Sequence, residues 1–205
     1  MSDELFDLTP IQMDVLREIG NIGAGNSATA LSQLINRRID INVPKVSIVP
    51  IEEVPDLVGG PETLVAGVFL RAFGKAPSNI LFLMPKESAF YLVDALMGKG
   101  KGETDEMDLM AESALMEIGN ILAGTYLNAI YSFTDISLVP SIPALAMDMA
   151  GAILNIVLVQ LGQMGDHAMV IETDFLDEEE DLHGHFFLVP DPGSMETILA
   201  AVGVG

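Results

Sequence analysis

Glu18-Ile-Gly-Asn-Ile-Gly-Ala-Gly-Asn26 returns later in the chain as Glu117-Ile-Gly-Asn-Ile-Leu-Ala-Gly-Thr125. A recurrence of this length across such an interval marks internal repetition, and it governs how the other segments are read. Two flanking positions share the offset: Asp14 and Ser113 each stand four residues before the Glu, and Pro44 and Pro143 each stand twenty-three residues after the Asn. Further on the offset grows slightly, as an insertion in the second half requires. There Asn79-Ile-Leu-Phe-Leu-Met-Pro85 matches His185-Phe-Phe-Leu-Val-Pro190, and the segments that follow end in Leu-Met-Gly98 and Ala-Val-Gly203. The chain reads as one domain over 1–205 built from two repeated halves, 11–98 and 106–203. Gly98-Lys-Gly-Lys-Gly102 is the linker or hinge between them.

Each half reads as a long helix, three strands and a closing helix. Thr9-Pro10 suits a helix start, with Thr9 as cap and Pro10 at the first helical position, where its missing N–H costs nothing. The spacing predicts a helix over 11–36, strands over 39–49, 63–71 and 79–84, and a helix over 86–97. The second half adds an apolar helix over 146–161, where the first has a Pro/Gly-rich loop over 50–61. Helices and strands that do not alternate strictly imply an α+β fold, with helices packed on a largely antiparallel sheet. Halves related by a pseudo-twofold axis would place the two motif helices in equivalent positions.

Composition narrows the function. The 205 residues are half hydrophobic, enough to bury a sizeable core. Cysteine is absent, which excludes a disulfide framework, a thiol nucleophile and a thiolate metal site, and suits a reducing cytoplasm. The opening MSDELFDLTP is acidic and lacks the order of a secretory signal, so a cytoplasmic protein is expected. The uncharged run 149–165 carries Asn155, Gln160 and Gln163, and reads as a buried helix rather than a membrane span. Thirty acidic residues against nine basic ones give a formal charge of −21, which repels nucleic acid and anionic lipid. No Lys/Arg cluster exceeds Arg37-Arg38.

At 3.6 residues per turn, positions 14, 18 and 21 fall on one helix stripe, as do 113, 117 and 120. Ile11, Val15, Ile19 and Ile22 form a second stripe about a quarter turn away, expected to face the core. The Glu/Asn row then lies at the edge of the buried face. Gly23, Ala24 and Gly25, with Ala123 and Gly124, carry almost no side chain just past each Asn, although glycine costs about 1 kcal/mol in a helix interior. Such a run suits close approach of another surface, an internal helix or a partner protein.

The pattern Asp/Ser-x-x-x-Glu-x-x-Asn followed by the distant Pro resembles the signature of the CheC/CheX/FliY family of response-regulator phosphatases. It occurs twice and its arrangement most resembles the CheC branch. The resemblance implies a chemotaxis hydrolase acting on the aspartyl-phosphate of a CheY-type receiver. Glu18 and Asn21 would form one active site, and Glu117 and Asn120 the other. Asp14 and Ser113 are the variable leading positions, and Pro44 and Pro143 are structural. It also implies CheD as a partner, no metal or cofactor of the chain's own, and Mg²⁺ supplied by the receiver.

This chemistry is physically reasonable. Phosphoryl transfer to water has a loose, in-line transition state that needs positioning and charge stabilisation. An Asn amide both donates and accepts, so it can hold the attacking water, while a neighbouring carboxylate pairs with a cation on the receiver. The second copy departs from the first at Leu122 and Thr125, in place of Gly23 and Asn26, so the two sites are expected to differ.

Other readings compete. The Glu residues could be solvated and the Asn residues caps or packing groups, but recurrence at one spacing weighs against this. Gly20-x-x-Gly23-x-Gly25 has the wrong order for a nucleotide-binding loop. His183-Gly-His185 beside the acidic run 177–181 could bind a divalent metal, yet an exposed turn is the better reading. The twelve methionines read as core filler. The functional alternative is a non-catalytic module that sequesters phosphorylated CheY or belongs to the flagellar switch.

Overall fold

Residue alternation along the central strands decides the architecture. The computed structural model describes residues 8–43, 45–161, 167–176 and 181–205. In the first half these form α1 (Pro10–Ile35), β1 (Asp40–Asn42), β2 (Val46–Pro50), a 3-10 turn (Ile51–Glu53) leading into α2 (Val54–Leu57), β3 (Leu64–Gly74), β4 (Ser78–Pro85) and α3 (Lys86–Met97). The second half supplies α4 (Leu109–Thr134), β5 (Leu138–Pro140), β6 (Ala144–Met149), α5 (Ala150–Leu161), β7 (His167–Leu176), β8 (Asp181–Pro190) and α6 (Ser194–Ala201).

Successive strand residues face opposite sides, and both sides here are apolar. Ile80, Phe82 and Met84 of β4, with Val68 and Leu70 of β3, meet Leu16, Ile19, Leu115 and Ile118 from α1 and α4. Leu81 and Leu83, with Val65, Val170 and Phe187, meet Val54 before α2's end and Ile153 and Leu154 of α5 on the other side. Three layers result: α1 and α4 with α3 and α6, the sheet, and α2 with α5. Each fully buried aliphatic or aromatic side chain contributes about 1.5–3 kcal/mol relative to exposure.

The sheet has eight strands in the order β1-β7-β8-β4-β3-β5, with β2 also on β7 and β6 also on β3. Every pairing among the described residues is antiparallel. β1 and β2 belong to the first half yet pair with β7 of the second, while β5 and β6 of the second half pair with β3 of the first. The halves are interlocked through the sheet rather than set side by side.

Three expectations need correction. The single strand expected over 39–49 is two strands, β1 and β2. Pro44, itself outside the described residues, lies between them, and a proline cannot donate to a strand ladder. The apolar helix expected from 146 starts at Ala150, because residues 144–149 form β6, whose Ala144 to Met149 pair with Phe69 to Leu64. A free sheet edge outweighs the helix propensity of alanine there. The loop expected over 50–61 holds the 3-10 turn and α2, which bury Val54 against the second apolar layer.

The glycine linker is tied down. Asp94, 2% exposed, accepts hydrogen bonds from the backbone N–H of Gly102 (2.8 Å) and Thr104 (2.9 Å), and Lys99 Nζ donates to Thr104 Oγ1 at 3.1 Å. Gly98 closes α3 at φ 66°, a left-handed conformation that glycine adopts without strain. No helix among the described residues is long and apolar enough to cross a membrane.

Candidate functional site

α1 starts where the sequence places it. Thr9 accepts from the Gln12 N–H at 3.3 Å, and Gln12 Oε1 accepts from the Thr9 N–H at 2.8 Å, a reciprocal cap with Pro10 just inside. α4 opens on Asp108, whose carboxylate accepts from the N–H groups of Met110 and Ala111 at 3.0 and 2.8 Å. Each helix spans 26 residues and ends on a left-handed residue, Asn36 and Asp135, both at φ 55°. The two motifs thus sit at matching depths in equally long helices.

The buried side of α1 is formed by Leu16, Ile19, Gly20, Gly23, Ala24, Ser27, Leu31 and Ile35. The expected stripe holds except at its start: Ile19 is buried and Val15 and Ile22, half-buried, pack against the core, but Ile11 is 64% exposed. Gly, Ala and Ser carry no hydrophobic signal, yet they let the helix approach its neighbours, so they define the contact face. Projected at 100° per residue, the centre of that face lies opposite Glu18 and about 110° from Asn21. Glu18 is therefore on the outer side of α1, and Asn21 is on the exposed flank of the buried face.

Glu18 and Asn21 are both exposed, and neither has a hydrogen bond or ion pair among the described residues. In α4, Glu117 is exposed and Asn120 half-buried, also without a partner there. The leading positions differ. Asp14 pairs with Arg17 at 3.0 Å, an exposed i,i+3 contact that adds little stability, whereas Ser113 is exposed. Pro143 is half-buried in the connection from β5 to β6, and Pro44 lies outside the described residues.

The two helices meet just past the asparagines. A Cβ on Gly23 would overlap the ring of Tyr126, and Ser27 Oγ and Thr125 Oγ1 hydrogen-bond across the crossing. Ser27 Oγ also lies 2.8 Å from the Gly23 carbonyl and Thr125 Oγ1 2.8 Å from that of Leu122, so one hydroxyl donates across the crossing while the other donates to its own helix. Tyr126 stacks on Phe186 with ring centroids 4.1 Å apart, and burial lifts its hydroxyl pKa to about 12, so it stays neutral. Gly119 faces the sheet instead, where a Cβ would stand 2.5 Å from Cγ1 of Val68. Sequence reasoning missed Ser27 and Tyr126; their signal was a small and a large residue at equal distances past the two motifs.

A cleft of about 710 Å³ lies elsewhere, between α3 and the linker, lined by Lys86, Phe90, Tyr91, Asp94, Lys101 and Thr104 among others. It shares no residue with either motif. Asn and Glu on the outer face of a helix suit a macromolecular substrate that brings its own pocket. His183 holds Asp174 at 2.7 Å across β7 and β8, and no group of three or more metal-ligating side chains is assembled among the described residues. Residues 177–180 of the neighbouring acidic run lie outside them.

The CheC-like family model matches residues 11–48 and 110–144, the two motif helices with the chain that follows each. The chain is 41% identical over 196 residues to the CheY-P phosphatase CheC of Bacillus subtilis, covering 94% of both chains. It belongs to the CheC-like family. Another relative is the flagellar motor switch phosphatase FliY of B. subtilis, 34% identical over 60% of this chain and 32% of that one. Among solved structures, Thermotoga maritima FliY superposes with a TM-score of 0.78 at 20% identity, covering 96% of this chain and 98% of that one. The FliM middle domain from H. pylori gives 0.72 at 14% identity, with 95% and 99% covered. At those identities the structures speak for the CheC-like fold alone.

Proposed function

We propose that this CheC-like chain hydrolyses the aspartyl-phosphate of a CheY-type response regulator, with Asn21 and Asn120 orienting water and Glu18 and Glu117 docking the receiver. The observation that carries the reading is the outward Glu/Asn row, present on both long helices with no partner inside the described fold. The extensive identity to a protein named for CheY-P phosphatase activity supports the reaction class.

In this scheme the Asn carbonyl accepts a hydrogen bond from the water and its N–H₂ donates to a phosphoryl oxygen, aligning the water oxygen with phosphorus. The new P–O bond forms as the bond from phosphorus to the acyl oxygen breaks. The receiver's Asp departs as carboxylate with that electron pair, and the water's proton passes to phosphate or solvent. Glu18 or Glu117 meets a receiver cation in a charge-assisted contact that fixes the orientation. The receiver holds the Mg²⁺ that neutralises the transferring phosphoryl group. A CheD-type protein is a second partner in the same reading, which places the work in the cytoplasm.

The test follows loss of acyl phosphate from a ³²P-labelled receiver. Asn21→Ala with Asn120→Ala is expected to slow it by on the order of 10²-fold or more, the contribution of a positioning group. A double variant as fast as wild type removes the catalytic assignment, and tight binding without wild-type turnover points to a sequestering module. Glu18→Lys with Glu117→Lys is expected to weaken receiver affinity measured by titration calorimetry, since it sets like charges against each other.

A further inference from the structure

Gly25 and Gly124 are the two helical glycines, among those whose surroundings are described, with open space where a side chain would go. Gly20, by contrast, lies against Val46 and Ile171, whose nearest atoms would stand 3.4 and 3.7 Å from an added Cβ. Gly23 must clear the Tyr126 ring and Gly119 must clear Val68. At Gly25 and Gly124 the backbone is ordinary helix, and an added Cβ would meet no atom within 4 Å. An alanine would fit both in conformation and in space, and glycine is disfavoured inside a helix. Yet glycine stands there in both helices, well away from either end.

Both glycines follow the motif Asn by four residues. At 100° per residue, Gly25 falls between Glu18 and Asn21 in direction, about one turn beyond the Asn. Gly25 is exposed and Gly124 half-buried. An Asn amide is separated from the backbone by one methylene. To bring that amide onto an acyl phosphate, the receiver must close almost to contact with the helix backbone. A side chain one turn past the Asn would hold it off.

We propose that Gly25 and Gly124 are clearance positions: the phosphorylated receiver seats on the bare helix backbone at each, and this sets the distance at which Asn21 and Asn120 meet the acyl phosphate. The proposal rests on the phosphatase reading and assigns to it two positioning residues. The feature that identifies them is shared by both sites, so each site is expected to have its own receiver footprint.

The test isolates one site at a time: Gly25→Ala and Gly25→Leu in an Asn120→Ala background, and Gly124→Ala and Gly124→Leu in an Asn21→Ala background. Dephosphorylation is measured against the concentration of a phosphorylated CheY-type receiver, with Gln33→Ala on the exposed side of α1 as control. The expected result is a melting temperature unchanged or a few degrees higher for each Ala variant, with KM raised several-fold by Ala and at least tenfold by Leu. KM and kcat within twofold of the background for the Leu variants overturn the proposal. So does a marked fall in melting temperature on Gly→Ala, which would show that the fold needs these glycines. Either failure leaves the phosphatase reading standing, because that reading is tested separately, by wild-type turnover and by the double Asn variant.

Discussion

The two motif helices share Glu, Asn and Gly on their outer faces, apart from the leading Asp14 and Ser113, and differ again where they touch each other. Glu18, Asn21 and Gly25 of α1 have the same residue types as Glu117, Asn120 and Gly124 of α4. Gly23 and Ser27 differ from Leu122 and Tyr126, and these four are all buried. Gly23 makes room for Tyr126, and Ser27 reaches Thr125 across the crossing. The replacements of Gly23 and Ser27 by Leu122 and Tyr126 thus lie on the buried faces of the helices, whereas Asn26, matched by Thr125, is exposed. They carry no sign that one site has lost its chemistry, which changes how the replacement of Gly23 by Leu122 is to be read.

The largest effect that tests this comparison is catalytic. Asn21→Ala should leave the rate of the second site, and Asn120→Ala that of the first. If the sites work independently, the two remaining rates add up to the wild-type rate within about twofold, as for separated positions. A single substitution that abolishes turnover would show instead that one row is inert or that the two act as a unit. The readout is acyl-phosphate loss at saturating receiver.

Next in size are substitutions on the buried faces of the two helices. Leu122 is 1% exposed, so Leu122→Ala should destabilise the protein by about 2–5 kcal/mol through lost burial and an unfilled cavity. Gly23→Ala should cost about 1–3 kcal/mol through overpacking against Tyr126, despite alanine's better helix propensity. Urea midpoints measure both, and turnover per folded molecule should stay close to wild type. A stable Gly23→Ala protein would mean that α1 and α4 separate more readily than their packing suggests.

The sequence carried the helices better than the sheet. The start of α1 was legible because Thr9, Pro10 and Gln12 act within one turn. The extent of α3 matches the expected 86–97. The buried face of α1 was legible only in part because its contact residues Gly20, Gly23, Ala24 and Ser27 have little hydrophobic weight, while Ile11 is exposed. The pairing of β1 and β2 with β7 depends on partners far along the chain, which no local pattern records. In the site, residue types and spacing were legible, but which glycine faces inward and which outward was not. That distinction depends on Tyr126, a residue beyond the motif in the other helix.

The smallest expected effect compares the two sheet halves. Asn79 in β4 and His185 in β8 begin the matched strand segments, and each has a buried side-chain nitrogen without a partner among the described residues, Nδ2 and Nδ1 respectively. Asn79 does not titrate. His185 does, and burial pushes its pKa below the ordinary 6.5, a shift that Glu172 beside it in register opposes and His183 reinforces. The unfolded chain therefore takes up this proton more readily than the folded one. Stability associated with neutral His185 is fully present above about pH 6.5 and declines as pH falls through that value toward the folded pKa. His185→Asn, which gives the second strand the residue of the first, should reduce the fall in melting temperature between about pH 7.5 and 5.5, bracketing the unperturbed histidine pKa. An unaltered pH profile would show that His185 does not carry the pH dependence. A flatter profile assigns it to the His185 ring.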